Sequence, residues 1–296
     1  MFNNKIKELI DNSYVHVANN KYIHEVIKRN AWIKPGIKRN IFLMGVLVVE
    51  FVKHRFNLWD YQDEIDLVKK NNYIYSFERY GKNITMYLPH YEEDFLQKCI
   101  VEQSDFYEVI ELEYLRDTFL KGGNVILDIG ANIGNHTVFF SKICNAEKVY
   151  AFEPVAETYD TLCRNIDLNH IENTVVAYNV ALGNASGKAR IKYFDPLNIG
   201  STQIEEADDG NIGMKRLDDY QFERIDFIKI DVETYEYDLL QGAKNTLTQF
   251  APVIFVEIFD DCFSKVDKLL ESYGYINSYI IFNNYIYVKS ANNRKK

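Results

Sequence analysis

The stretch VILDIGANIGN, Val125 to Asn135, decides how this chain folds. An apolar run ends in Asp128, and Gly130, Asn132 and Gly134 follow before apolar spacing resumes. That pattern predicts a buried parallel strand turning sharply into a helix. Gly130, Ala131 and Asn132 offer a ligand bare backbone, with a helix N-terminus behind it. A second apolar run, KVYAFEP, ends in Glu153, roughly 20 residues after the first glycine, where open α/β folds place an acid that grips ribose hydroxyls. An adenosine-type cofactor is the expectation.

Departures from known fingerprints narrow the choice. A dinucleotide site wants glycine where this chain has Asn132 and Asn135, so close approach of a pyrophosphate is disfavoured. No G-x-x-x-x-G-K-[ST] occurs, which excludes a P-loop. Asp128, just ahead of the first glycine, suits a ligand with an ammonium group. S-adenosylmethionine carries an ammonium, a sulfonium and a ribose, and is expected here rather than NAD.

Working outward, the 296 residues are 47% hydrophobic, enough for one large domain plus an elaboration. A net charge of -9 argues against a nucleic-acid partner, which would need a basic face. Cys99, Cys144, Cys163 and Cys262 form no C-x-x-C pair, which points to reduced thiols in a cytoplasmic protein without zinc. Acidic residues among the first twenty speak against a signal peptide.

The first 105 residues read as a mainly helical elaboration with a hairpin, suited to substrate or oligomer contact. Ile6, Leu9 and Ile10 repeat at helical spacing. Ile41 to Val52 is strongly apolar but too short to span a membrane and contains Glu50. It fits a core or interface helix; basic flanks between residues 38 and 55 also allow contact with a membrane surface or a second copy. Asp63 to Lys70 reads as a short helix. Tyr73 to Phe77 and Ile84 to Leu88 form a hairpin about Gly81, Lys82 and Asn83. Tyr107 to Leu120 is helical and stops at Gly122-Gly123.

From residue 106 to 290 strands and helices alternate. Strands are predicted at Val125–Ile129, Lys148–Phe152, Val175–Ala181, Ile225–Ile230, Val253–Ile258, Tyr275–Phe282 and Tyr285–Val288. Helices are predicted at His136–Ile143, Ala156–Leu168, Glu236–Leu247 and Asp261–Tyr273. The fold class is therefore α/β, a mostly parallel sheet covered on both faces. A closing hairpin puts an antiparallel strand at one edge.

At this point the sequence resembles the FkbM-type methyltransferases, a family common in bacterial glycan clusters. The matching segments are LDIGANIGN (Leu127–Asn135), VYAFEP (Val149–Pro154), NVALGN (Asn179–Asn184) and GST (Gly200–Thr202). RLDDY (Arg216–Tyr220), IDFIKIDVETYE (Ile225–Glu236), LLQGAKNTL (Leu239–Leu247) and PVIFVEI (Pro252–Ile258) continue it in order. Phe106-Tyr107-Glu108 fits the family's approach segment. The chain departs at Thr234-Tyr235, where the family usually has Gly-Ala. The resemblance implies a class I methyltransferase sheet, Rossmann-like, with Asn179 and Val180 in the adenine wall and Glu108 near the cofactor. It also implies methyl transfer to a hydroxyl of a sugar, glycan or glycolipid.

The residues supply a chemistry for that transfer. Lys229, Asp231 and Glu233 alternate along one run, so their side chains are expected on one face at a strand's carboxyl end. A hydroxyl acceptor must lose a proton, and Asp231 is the first candidate base, Glu233 the second, with Lys229 orienting them. A structural ion-pair cluster is the competing account. Asp128 either holds the cofactor or caps the next helix, and His136 is assigned to the cofactor region with Asn132 and Asn135. Asp231, Glu257 and Asp260 have the oxygen chemistry for Mg²⁺, but a solvated acidic rim explains them as well. Two other functions compete: a nucleotide-dependent oxidoreductase, and a non-catalytic cofactor-binding module.

Overall fold

The computed structural model describes residues 68–281 and 283–290. The expected helix near Ile6, the apolar segment Ile41 to Val52 and most of the helix expected at Asp63 to Lys70 lie outside the described residues.

Two strands, β1 (Ile74–Arg79) and β2 (Lys82–Tyr87), pair as an antiparallel hairpin. The turn falls at Tyr80-Gly81 rather than about residues 81–83, and both residues have positive φ, 51° and 70°. Such a two-residue turn matches the twist of the strands it joins. The outer edge of β2 is covered by side-chain amides. Asn165 bonds the N–H and C=O of Tyr87, and Asn169 does the same for Thr85. Both Asn side chains lie on one face of the helix that follows the second large-sheet strand, four residues apart.

Helix α1 (Phe95–Gln103) comes next, then α2 (Val109–Thr118), close to the expected span. The α1 helix was not foreseen. Its signal is nonetheless present: Asp94 as N-cap, then Leu96, Cys99 and Ile100 at helical spacing.

The large sheet contains β3 (Val125–Ile129), β4 (Lys148–Phe152), β5 (Val175–Tyr178), β10 (Phe227–Ile230), β11 (Val253–Glu257), β12 (Tyr275–Ile281) and β13 (Asn284–Lys289). The spatial order is β12-β13-β11-β10-β3-β4-β5. β3 lies between β4 and β10, parallel to both. Every residue of β3 and β10 is buried, as expected of strands covered on both faces. Burying each such Leu or Ile contributes about 1.5–3 kcal/mol. β13 is antiparallel to β11 and to β12. The edge strand is thus β12, which runs with the parallel set, and the antiparallel strand sits one place inside it. The hairpin was foreseen; its insertion order was not, because strand neighbours beyond a hairpin leave no local signal.

Helices lie between these strands. α3 (Asn135–Val138) runs into a π turn over Phe139–Ile143, and α4 (Ala156–Leu168) matches its predicted span. The single helix predicted from Glu236 is two, α5 (Glu236–Gln241) and α6 (Lys244–Phe250). They part at Gly242, where a Cβ would lie 2.0 Å from the Gly183 carbonyl oxygen. The Asp218 carboxylate accepts from Asn245 and Thr246 N–H and starts α6 afresh. α7 (Asp260–Ser272) follows β11.

A second, four-stranded sheet was missed. It consists of β6 (Ala181–Leu182), β7 (Gly187–Tyr193), β8 (Gln203–Glu206) and β9 (Ile212–Lys215), ordered β6-β9-β7-β8. The predicted strand to Ala181 breaks after Tyr178, and its end joins this sheet. Of β7 only Ala189 is buried, so the strand lacks the apolar alternation that marks a half-buried one.

Candidate active site

The glycine turn after β3 is shaped by two packing requirements. Gly130 has φ of 74°, and a Cβ there would lie 1.7 Å from the Asp231 carbonyl oxygen. Glycine therefore lets the loops after β3 and β10 touch. Gly134 has φ of 91° and its missing Cβ makes room for Leu162 of α4, at 2.7 Å. Its service is helix packing rather than ligand approach. Ala131 N–H donates to Phe152 O, tying the turn to β4.

Glu153 holds that turn from the side. Its Oε2 accepts from Asn132 N–H and its Oε1 from Val155 N–H, both at 2.9 Å. Burial pushes its carboxyl up to about 7, against the pull of those two N–H groups. Asn179, at the end of β5, donates to Glu153 O and Pro154 O, knitting the neighbouring loop.

Two chambers open above the strand ends. The first lies between the glycine turn, Glu153 and the apolar side chains of Val155, Val180 and Leu182. The second, a wider cavity of about 460 Å³, is lined by Glu108, Asp231, Glu233 and Glu257, with Phe95 and Tyr107 beside them. They meet at Asn132, Gly200, Asp231 and Glu233, which border both. No Lys, Arg or His lines either chamber among the described residues.

The nearest cation is behind the wall. Lys229 is buried and donates to Gly130 O at 2.8 Å; its Nζ lies 3.3 Å from Asp231 and 3.7 Å from Asp128. Its ammonium is held above its usual range: Asp231, Asp128 and Glu108 outweigh the opposing cost of burial. Asp128, wholly buried, accepts from Thr137 Oγ1 at 2.5 Å. Its Oδ1 has no hydrogen-bond donor. Asp128 therefore lies beneath the turn and supports it through α3 and Lys229.

Lys229, Asp231 and Glu233 are brought together, but not by strand alternation. β10 ends at Ile230, and Glu233 and Thr234 both turn left-handed, with φ of 50° and 80°. The turn swings Glu233 back towards Asp231. Burial and the nearby Asp231 and Glu236 carboxylates raise Glu233 to about 8. Glu257, at the end of β11, is raised to about 9 by burial and by Asp231, Glu108 and Glu233.

Asn135 and His136 sit behind the turn. Asn135 exchanges two hydrogen bonds with the Tyr107 backbone, fixing the approach segment. Buried His136 places Nε2 3.4 Å from a Glu108 carboxylate oxygen. Glu108 itself has φ of 57°, and this turn directs it to the second chamber rather than the first. No group of three His, Cys, Asp or Glu side chains among the described residues is spaced to hold a metal ion. Nor is any described helix long and apolar enough to cross a membrane. The sequence marks Tyr235 only as part of the departure from the family; in the structure it lines the first chamber and donates to Glu206 of β8. Sequence reasoning does miss Phe95, which lines the second chamber from the first position of α1.

The sheet order, with one antiparallel strand inserted beside the edge and chambers at the carboxyl ends of the central strands, is that of the class I methyltransferase fold. The FkbM methyltransferase domain family matches residues 128–276, half of the chain, and the chain belongs to that family. Membership in a methyltransferase family sets aside the oxidoreductase and non-catalytic readings. Among its relatives, methyltransferase sdnD of Sordaria araneosa is 27% identical over 214 residues, 59% of this chain and 83% of that protein. Hexuronic acid methyltransferase AglP of Haloferax volcanii is 30% identical over 155 residues, 50% of this chain and 61% of that protein. Among solved structures, the methyltransferase FkbM of Methylobacillus flagellatus KT aligns with a TM-score of 0.39 and 18% identity, covering 57% of this chain and 44% of that one.

Proposed function

We propose that the protein is an S-adenosylmethionine-dependent O-methyltransferase whose acceptor is a hydroxyl of a sugar, glycan or glycolipid. The observation that carries this reading is the pair of chambers meeting at Asp231 and Glu233. One suits a nucleoside, with a buried acid and apolar walls. The other suits a polyol, with acids and aromatic faces.

The residues fit the cofactor. Glu153 would hold the ribose hydroxyls, and Val155, Val180 and Leu182 would flank the adenine. Bare backbone at Gly130 to Asn132, over an acidic surround, would receive the cationic amino-acid end. When bound, the cofactor supplies a methyl group on an already activated sulfonium, so the protein mainly contributes alignment. Asp231 then acts as the base that takes the acceptor proton, with Lys229 holding it in place and Glu233 beside it. Residues 1–105 are assigned to acceptor or oligomer contact and 106–290 to the methyltransferase domain. Phe95 and Leu96 of α1 would reach from the first region into the acceptor chamber. The hexuronic acid relative supports a sugar acceptor.

The test is direct. Calorimetry with S-adenosylmethionine should show binding, and labelled methyl groups should pass to members of a panel of nucleotide sugars and lipid-linked glycans. No binding of the cofactor would remove the assignment; binding with transfer only to non-carbohydrate acceptors would move the acceptor class.

A further inference from the structure

The loop of residues 194–202, between β7 and β8, forms the roof where the two chambers meet. Ile199, Gly200 and Thr202 line the first chamber; Asn198, Gly200 and Ser201 line the second. Gly200 packs against the glycine turn: a Cβ there would lie 3.1 Å from Asn132 Nδ2. Within the loop, hydrogen bonds are local. Leu197 N–H donates to Asp195, Ser201 N–H to Asn198 O, and Thr202 N–H to Ile199 O. Among the described residues the hydrogen bonds that tie this loop to the body of the fold are two, and both end at the start of α1. Phe95 N–H donates to Leu197 O at 2.9 Å, and Ile199 N–H donates to Asp94 Oδ1 at 2.8 Å.

Asp94 is well placed to hold the roof. It is 2% exposed, and its other oxygen accepts from Gln97 N–H at 3.0 Å as the N-cap of α1. Gln97 in turn accepts from His90 N–H, fixing the turn before the helix. One buried carboxylate thus bridges the N–H of Gln97, in its own helix, and the N–H of Ile199, 105 residues further along the chain from Asp94.

We propose that Asp94 is a positioning residue that latches the 194–202 loop over the junction of the chambers and so keeps Gly200 beside Asp231 and Glu233. This rests on the cofactor reading for its consequence, though the latch itself does not. A carboxylate is the side chain of this length that accepts from both N–H groups at once. Asparagine caps a helix as well as aspartate but has one acceptor oxygen, and its amide hydrogens would face the second donor. Asp94→Asn therefore keeps the cap and loses the latch.

The experiment compares wild type with Asp94→Asn by hydrogen exchange and by release of S-adenosylhomocysteine in stopped flow. Exchange in peptides covering 194–203 should quicken about tenfold or more, as expected for losing a hydrogen bond to a charged group, with α1 unchanged. Release of S-adenosylhomocysteine should quicken by a similar factor, with Tm nearly constant. Unchanged exchange in the loop, or quickening spread over the whole protein, would overturn the latch. Quickened loop exchange with unchanged ligand release would overturn its role at the chamber. If the wild type does not bind S-adenosylhomocysteine, the cofactor reading falls, and exchange alone decides whether the latch exists.

Discussion

Gly130 and Asp231 touch through backbone: the place of a missing Cβ on one lies 1.7 Å from the carbonyl oxygen of the other. This contact brings the cofactor turn and the candidate base into one site. Gly130→Ala combines that clash with a φ of 74°, so one of the two loops must move. The loss of stability is expected to be about 2 kcal/mol or more, from overpacking plus left-handed strain. Thermal unfolding checks the stability, and cofactor calorimetry should show affinity falling with it. A variant with wild-type Tm and affinity would mean that the loops are not in contact.

Glu153 separates ligand binding from scaffolding. Its carboxylate already supports Asn132 and Val155, so Glu153→Ala would damage the turn as well as the site. Glu153→Gln keeps the size of the side chain but loses the charge and, with one acceptor oxygen, one of the two N–H bonds. Cofactor affinity should drop by about 1.5–3 kcal/mol, the worth of a charge-assisted hydrogen bond. Unchanged affinity by calorimetry would place the ribose elsewhere.

For Asp231 the expected signature is a split between steps. Asp231→Asn should cut turnover by about 10²–10⁴-fold, as for loss of a general base, with cofactor affinity nearly intact. The Lys229 ammonium keeps its bond to Gly130 O, so the fold should hold. Full activity in this variant would transfer the base role, and Glu233→Gln is the next substitution to assay.

Much of the architecture was legible because its signals are local. The span of α4 and the central strands follow from apolar runs bounded by glycine, proline and acid, and Glu153 lies beside the turn as its spacing from Gly130 implied. The second sheet was invisible because β7 is exposed over nearly its whole length. The roles of Asp128 and His136 were blurred for another reason: a motif gives neighbours along the chain, not which of them faces inward. Asp128 in β3 and His136 in α3 flank the turn that carries Asn132 and are buried, while Asn132 borders both chambers. Lys229, Asp231 and Glu233 do meet, yet through two left-handed residues that no alternation rule anticipates.

Thr234 is where the chain departs from the family's usual glycine, and there φ is 80°. A β-branched residue in that region is strained, so Thr234→Gly should raise stability, by up to about 1 kcal/mol once the added freedom of the unfolded chain is offset. The Thr234 N–H donates to the Glu236 carboxylate from the backbone, so this bond survives the change. A lower Tm for the glycine variant would mean that the threonine side chain is itself a supporting contact.

The crowded acids set a pH dependence. Glu153, Glu233 and Glu257 are raised to about 7, 8 and 9 from an ordinary carboxyl value of 4.5. Between about pH 4.5 and 9 the unfolded chain has released protons that the folded protein still holds, so ligand-free stability falls as pH rises through this window. Glu257 faces Asp231, Glu108 and Glu233, with Lys229 the opposing cation. Removing its charge with Glu257→Gln should therefore flatten the decline across the window, with the largest proportional effect between about pH 7 and 9, where Glu153 has already titrated. Calorimetric Tm values measured across that range for both proteins check this. Parallel curves would show that Glu257 is already compensated, and that the acceptor chamber does not store the repulsion its geometry implies.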